Sequence, residues 1–534
     1  MRNPQMRENT SNLIHASSTR IWRLETFFAI VILWAAACTK LEPVVVVITA
    51  TATTQSSELL PEQATTMPSI PTLAPTDGLP QNIVATPINK TYVVQAGDTL
   101  SGIAAQFGVR LETIMKLNQL ADPNVLEVGQ VIVLPGEPTT SSPDFEIISD
   151  SRFVRGPTSK EFDVNTFVAQ QQGYIRTASD TVDEIFLSAA EVVQRVSIEF
   201  SVDSRLLLAI LQYRSKWLTQ TEISDAVKQF PIQGKPSSDG FDRSGLYKQL
   251  SWVANQLNAG YYGWKYKGLD TLEFDDGTRL AYSRNINAAT VGVQFFFSLQ
   301  SDYDIWQNAV NGEGVFKTYS DLFGNPLSDN SVVLVPAELQ QPELTFPFPS
   351  GQTWYFTGGP HGGWGTGSAW SAIDFAPPDD RPDGSALCYV SDFWATAAAP
   401  GVIARSGDGT VILDLDGDGD ETTGWTILYL HMASDGRVAA GTYVKIGDQI
   451  GRPSCEGGFS NATHMHFARR YNGEWIPVSC DVCGSDKIPP PPFVLSGWTA
   501  IGLENQEYQG YMIKGNERRD AEQGRLTPVN RVSW

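Results

Sequence analysis

The chain has 534 residues, 42% hydrophobic and 10% aromatic, with a formal charge of -21. That length exceeds one ordinary core and sets an expectation of about three or four units. The acidic balance excludes a general affinity for nucleic acid, which draws on surplus Lys and Arg, and the aromatic content excludes a chain disordered throughout.

Arg2, Arg7, Arg20 and Arg23 precede an apolar run from Phe27 to Ala37, shorter than the ~20 residues of a membrane-spanning helix. It ends Ala35-Ala36-Ala37-Cys38, which resembles the lipobox of bacterial lipoproteins. The resemblance implies that residues 1–37 are a signal peptide and that Cys38 is lipidated, anchoring an extracytoplasmic protein to a membrane. An uncleaved signal anchor helped by Val44 to Ile48 is the alternative, and it puts the remainder on the same side. Residues 38–90, rich in Thr, Pro, Ala and Ser, cannot bury enough surface to offset the entropy of ordering and read as a disordered tether.

Residues 91–136 contain TYVVQAGDTLSGIAAQFGV and NVLEVGQVIVLP. Tyr92 to Val94 reads as a strand, and Asp98 or Thr99 caps a helix bearing Leu100, Ile103, Ala104 and Phe107. A second helix over Leu111 to Leu117 and a strand over Val131 to Leu134 complete a βααβ unit. These signatures resemble the LysM module, which implies binding to N-acetylglucosamine-containing glycan through Gly97, Asp98, Thr99 and Asn118. Residues 137–165 form a polar linker.

Residues 166–336 read as mainly helical. Ile185, Phe186, Ala189, Val193 and Val196 share a face, and Ser201 or Asp203 caps a run from Leu206 to Leu211. The stretch from Ala189 to Trp217 resembles the opening of lysozyme-like lytic transglycosylase domains, whose catalytic Glu falls here on Arg214. A guanidinium cannot give its proton to a leaving glycosidic oxygen, so this unit is expected to be non-catalytic, with Glu191 and Glu199 as solvated helix charges. Trp252, Tyr261, Tyr262 and Trp264 read as core before sugar platforms.

Of 5 histidines, four lie between His361 and His466. His464 and His466 stand at i and i+2, on one face of a strand, and His431 follows the strand-like run Trp425 to Leu430. Three His and one Asp on several strands suit a catalytic zinc, which takes three N or O ligands and leaves one position for water. The order GGPH, IDFA, YLH, HMH over residues 340–495 resembles the lysostaphin or LytM type of zinc metallopeptidase, mainly antiparallel β. Carried over by position, the resemblance makes His361, Asp374 and His466 the metal ligands. It leaves His464 as general base and His431 to orient water and stabilise the transition state. The gap from His361 to Asp374 is longer than the family's, which an inserted hairpin from Gly362 to Ser371 would explain.

Cys388, Cys455, Cys480 and Cys483 fall in the last third, apart from Cys38. Four cysteines allow three pairings; Cys388 with Cys455 and Cys480 with Cys483 is preferred, against a cysteine-rich zinc site. Asp414, Asp416, Asp418 and Asp420 begin like a calcium loop but lack its Glu at position twelve, where Trp425 stands, so a Ca2+ site and a plain acidic hairpin tip both stay open. Residues 496–534 read as a further strand pair without chemistry. The expected function is zinc-dependent hydrolysis of amide bonds in peptidoglycan stems or cross-bridges, with a non-hydrolytic wall-binding scaffold or amidase activator as the alternative.

Overall fold

The computed structural model describes residues 89–534, apart from 238–239, 330, 380–385, 481–482, 484–487 and 525–527. The expected signal peptide, Cys38 and the expected tether up to residue 88 lie outside the described residues. No described helix is long and apolar enough to cross a membrane.

The first unit is β1 (Lys90–Val93), α1 (Leu100–Phe107), α2 (Leu111–Leu117) and β2 (Val131–Leu134), with the two strands paired antiparallel. Thr99 caps α1 by accepting from the Gly102 amide at 3.0 Å. Asp98 instead braces the turn before the helix, accepting from the Tyr92 hydroxyl and the Gln95 amide.

The helical unit contains α3 (Asp150–Phe153), α4 (Val164–Ala169), the hairpin β3 (Ser179–Val182) and β4 (Ile185–Ser188), α5 (Ala189–Phe200), α6 (Ser204–Ser215) and α7 (Asp225–Gln229). It continues with α8 (Leu246–Tyr266), the hairpin β5 (Thr271–Glu273) and β6 (Arg279–Ala281), α9 (Ala288–Ser298), α10 (Tyr303–Val310) and α11 (Val315–Phe323). Ile185 and Phe186 do not join the helix expected from their spacing. Positive φ at Asp183 and Glu184 turns the chain into a hairpin, and the capping box of Ser188 and Glu191 starts α5 only at Ala189. Asp203 caps α6. Tyr261 and Tyr262 are core. The β5–β6 hairpin grips the first unit, as Glu273 accepts from the Arg110 amide at 3.0 Å and Asp275 from its guanidinium at 3.1 Å.

The last unit is built on an antiparallel sheet. Its strands are β7 (Trp354–His361), β8 (Ala372–Ala376), β10 (Gly401–Gly407), β11 (Thr410–Asp414), β12 (Trp425–Leu430), β13 (Tyr443–Val444), β15 (Met465–Tyr471), β16 (Glu474–Trp475) and β21 (Arg531–Val532). They run β13-β10-β11-β12-β15-β8-β7-β21, with β16 on β15. The short strands β9 (Ala395–Thr396) and β14 (Gln449–Gly451) pair separately. Alternation divides the sheet's faces. Ile373, Phe375, Ile427, Tyr429 and Phe467 point into one core, whereas Ala372, Ile412, Leu428, Leu430 and Ala468 pack with the helical unit. The chain ends in a four-stranded sheet of β17 (Phe493–Leu495), β18 (Trp498–Leu503), β19 (Gln506–Lys514) and β20 (Glu517–Asp520), where one further strand pair was expected. Disulfides join Cys388 to Cys455 and Cys480 to Cys483, the preferred pairing.

Glu474 is fully buried on β16 and ties the helical unit to the sheet. It accepts from the Tyr261 and Tyr266 hydroxyls at 3.0 and 3.2 Å and pairs with Lys265. Lys265 keeps 24% of its side chain exposed, which softens the loss of its partner. Glu474→Ala should therefore cost about 2–3 kcal/mol, below the full penalty of an orphaned buried charge, as read by urea unfolding of the whole chain.

Candidate metal centre

Register brings the predicted ligands together. His466 pairs with Asp374 across β15 and β8, and Asp374 with Gly358 across β8 and β7, whose last residue is His361. Gly358 is required there, since a Cβ on it would lie 2.4 Å from the Asp374 carboxylate. Residues 362–371 link β7 to β8 as a loop without strand pairing, instead of the hairpin expected. This loop orients a ligand, for its Gly363 carbonyl accepts from His466 Nε2 at 3.0 Å.

The tautomers follow from what each ring faces. His361 Nδ1 lies 2.7 Å from the Gly359 carbonyl, which can only accept, so Nδ1 carries a proton, and in the neutral ring that ligates a metal Nε2 is bare. By the same reasoning His466 carries its proton on Nε2 and leaves Nδ1 bare. The two bare nitrogens stand 2.9 Å apart. Asp374 Oδ1 lies 3.2 Å from one and 3.4 Å from the other, buried and without a hydrogen-bond donor. Three acceptor atoms aimed at one another, with no proton between them, are a cradle for a cation. Two imidazole nitrogens and one carboxylate oxygen are a zinc donor set, so the residues fit the metal that the sequence implies.

Burial disfavours charge on His361, yet the Asp374 carboxylate outweighs it and raises the pKa. Burial would raise Asp374, but His361 and His464 hold it well below the usual carboxylate range. His466 is pushed down, mainly by burial. His431 stands just past β12 with φ 66°, its Nδ1 3.1 Å from the Glu456 carbonyl. Burial and the neighbouring His464 and His466 push its pKa down to about 3. His464 lies beside it, ring centroids 4.6 Å apart. His464 Nδ1 faces the Ala462 carbonyl at 2.8 Å, leaving Nε2 3.7 Å from Asp374 Oδ1.

Sequence reading missed the contribution of the C-terminal strands. Tyr508 on β19 stacks on His361 with centroids 4.3 Å apart, and Glu507 accepts from the Gly362 amide at 3.2 Å. Burial, with Asp374 and Glu507, pushes the Tyr508 phenol up to about 12, so it keeps its proton at working pH. An aromatic with positive φ gives no periodicity signal; the adjacent acid and aromatic pair was the one cue.

The acidic loop brings Asp414, Asp416 and Asp418 within reach of one ion, while Asp420 turns to Lys160 at 2.8 Å. In the first unit, Gly97 takes the positive φ of its turn. Asn118 is occupied internally: its amide donates to the Ile114 and Val133 carbonyls and accepts from the Val133 amide.

Residues 92–135 match the family model "LysM domain", and residues 146–337 match "LasA, N-terminal domain". The chain carries a LysM module and a LasA-type N-terminal domain. The model that matches the helical unit is that of LasA. Protease LasA of Pseudomonas aeruginosa is 24% identical over 349 residues, covering 62% of this chain and 75% of that protein. N-acetylmuramoyl-L-alanine amidase XlyA of Bacillus subtilis is 37% identical over 62 residues, 12% of this chain and 21% of the amidase. The M23 metalloprotease pseudoalterin has 24% identity over 35% of this chain and 98% of its own, with a TM-score of 0.26. The resemblance to the lysostaphin type of peptidase and to LysM is borne out.

Zinc should bind at about one ion per chain and raise the melting temperature, since a ligand held only by the folded state stabilises it. His466→Ala and Asp374→Ala should lose both effects while remaining folded by circular dichroism. Full zinc occupancy in either variant sinks the assignment. Asn118→Ala should destabilise the LysM module by about 1–3 kcal/mol, the penalty of stranding its buried partners. If thermal unfolding is unchanged and only glycan affinity falls, Asn118 is a contact instead of a brace.

Proposed function

We propose that the chain is a zinc endopeptidase that hydrolyses amide bonds in the peptide stems or cross-bridges of bacterial peptidoglycan, brought to the wall by its LysM module. The carrying observation is the buried cradle of His361 Nε2, His466 Nδ1 and Asp374 Oδ1 with two further imidazoles beside it. Tethering through the module raises local concentration on the wall without new contacts at the site. The reading includes export and a lipid anchor on Cys38, supported by the small residues before that cysteine.

Zinc held in the cradle supplies a Lewis acid for the scissile carbonyl and lowers the pKa of water. The chain's own groups divide the remaining work. With its Nδ1 proton committed to Ala462, His464 offers a bare Nε2 to take the proton of the attacking water and later pass it to the leaving amine. His431, fixed through Glu456 and kept neutral by burial, accepts a second hydrogen bond from that water and orients it. Tyr508 keeps its phenolic proton and brings a donor to the rim, where negative charge develops on the carbonyl oxygen.

Purified peptidoglycan incubated with the full chain should release new amino groups, and a chelator should stop this. His431→Ala should keep its zinc and lose roughly 10²–10⁴-fold in kcat. Tyr508→Phe should lose about 100-fold, the scale of one oxyanion donor. A zinc-loaded wild type that binds wall but frees no amino groups is a scaffold, and the peptidase reading is then wrong.

A further inference from the structure

The two histidines beside the metal cradle owe their orientation to one loop. Ser454 stands between them, donating its amide to the His431 carbonyl at 2.7 Å and forming an antiparallel bridge with His464. Residues 455–463 close the loop without helix or strand. Both carbonyls that fix the rings sit in it, Glu456 for His431 and Ala462 for His464. A carbonyl in an irregular loop is only as steady as the contacts around that loop, since such segments open locally at little cost.

The loop is held from outside by residues 386–391, a segment equally without helix or strand. Cys388 is bonded to Cys455. On either side of that bond, Ser391 donates its amide to the Pro453 carbonyl at 2.8 Å, and Thr463 donates its amide to the Leu387 carbonyl at 2.9 Å. Thr463 Oγ1 accepts from the Tyr389 amide at 2.8 Å and donates to the Tyr389 carbonyl at 2.6 Å. The segment is itself pinned to Asp379, which accepts from the hydroxyls of Ser391 and Tyr389 at 2.7 and 3.2 Å.

This brace reaches the two rings unequally. Glu456 is fastened a second time, its carboxylate accepting from the Ser434 amide at 2.8 Å. Ala462 is held through its neighbours. Its carbonyl also accepts from the Ser460 hydroxyl at 2.8 Å, that hydroxyl lies 3.6 Å from Cys455 Sγ, and the next residue is Thr463. The His464 ring therefore leans on the disulfide and on Thr463 more than the His431 ring does.

We propose that the Cys388–Cys455 disulfide and Thr463 are positioning elements for the histidine pair, holding His464 above all in the orientation from which it takes the proton of the attacking water, with no part in binding the metal. The assignment rests on the peptidase reading for the reaction it serves.

The full chain carrying Cys388→Ser and Cys455→Ser is compared with wild type for zinc content, for kcat and KM on a soluble wall-derived peptide, and for amide hydrogen exchange. Zinc content and KM should hold while kcat falls roughly 10–100-fold, the scale of a displaced catalytic group. The amides of residues 456–463 should exchange faster. Thr463→Val keeps the disulfide, removes the hydroxyl bonds and should move the same readings in the same direction, so the outcome is decided even where the cysteine variant does not fold. Thr463→Ser keeps the hydroxyl and should recover the kcat that Thr463→Val loses. Wild-type kcat in folded Thr463→Val or in the folded cysteine variant overturns the proposal. So does a fall in kcat that tracks loss of zinc, which marks a structural bond only. A wild type that frees no amino groups from wall removes the peptidase reading instead. Hydrogen exchange then decides the brace alone: faster exchange over 456–463 with zinc retained upholds it, and unchanged exchange overturns it.

Discussion

Everything on the functional face depends on two imidazole nitrogens that, in the neutral rings, meet without a proton between them. The Gly359 and Gly363 carbonyls fix the protons of His361 and His466 on their outer nitrogens, so the inner pair repel each other and the orphaned Asp374 oxygen. A fold does not maintain three converging acceptors without a cation to separate them unless the surrounding backbone holds them by force. Here that backbone is the register of β7, β8 and β15, reinforced by the close approach permitted at Gly358. The second layer of carbonyls sets the tautomers, as outer partners do around metal-ligating histidines generally.

Alternation along β15 explains how one sheet serves two purposes. His466, Ala468 and Arg470 point to one side, Phe467 and Arg469 to the other. The first set runs from metal cradle to helical interface within one strand, so the packing of α5 and α8 fixes what lies beside the site. Arg469, fully buried, is satisfied by the Ile476, Pro477, Pro491 and Pro492 carbonyls and by Gln341. Burial without a carboxylate pushes its pKa down to about 9. It pins the strap that precedes the sheet to the proline run that follows it.

Local signals were legible where local physics decides. The βααβ order of the first unit followed from turn chemistry and two short periodic helices, down to both ends of α2, and its LysM character from the resemblance of its signatures. The four histidines stood out because the residue is scarce and their order is informative. The sequence misled where tertiary context overrode spacing. Ile185 and Phe186 fit a helical face with Val193 and Val196, but the turn at Asp183 and Glu184 and the cap at Ser188 place them on a hairpin. Asn118 came into the glycan groove through the LysM resemblance, and only the structure shows that its amide also closes the module internally. Tyr508 was illegible, since its role exists only once β19 packs beside β7.

The interface also bears on how the units fold. Glu421 is nearly fully buried among Arg155 from the helical unit and Arg405 and Arg470 from the sheet. These three cations outweigh its burial and hold its carboxyl far below the ordinary range. With a single carboxylate shared by three guanidiniums, neither unit is electrostatically complete alone, because separation strips one cation from the cluster and opens Glu474 to water. Leu428 and Leu430 on the sheet belong to the same apolar core as α5 and α8, so parting the units also exposes that core. Burial of charge adds selectivity to this contact, since a mispacked interface would strand an ion at a cost of several kcal/mol. The helical unit is therefore a structural part of the sheet it covers, and the shape of the cleft beside the metal cradle is a property of both together.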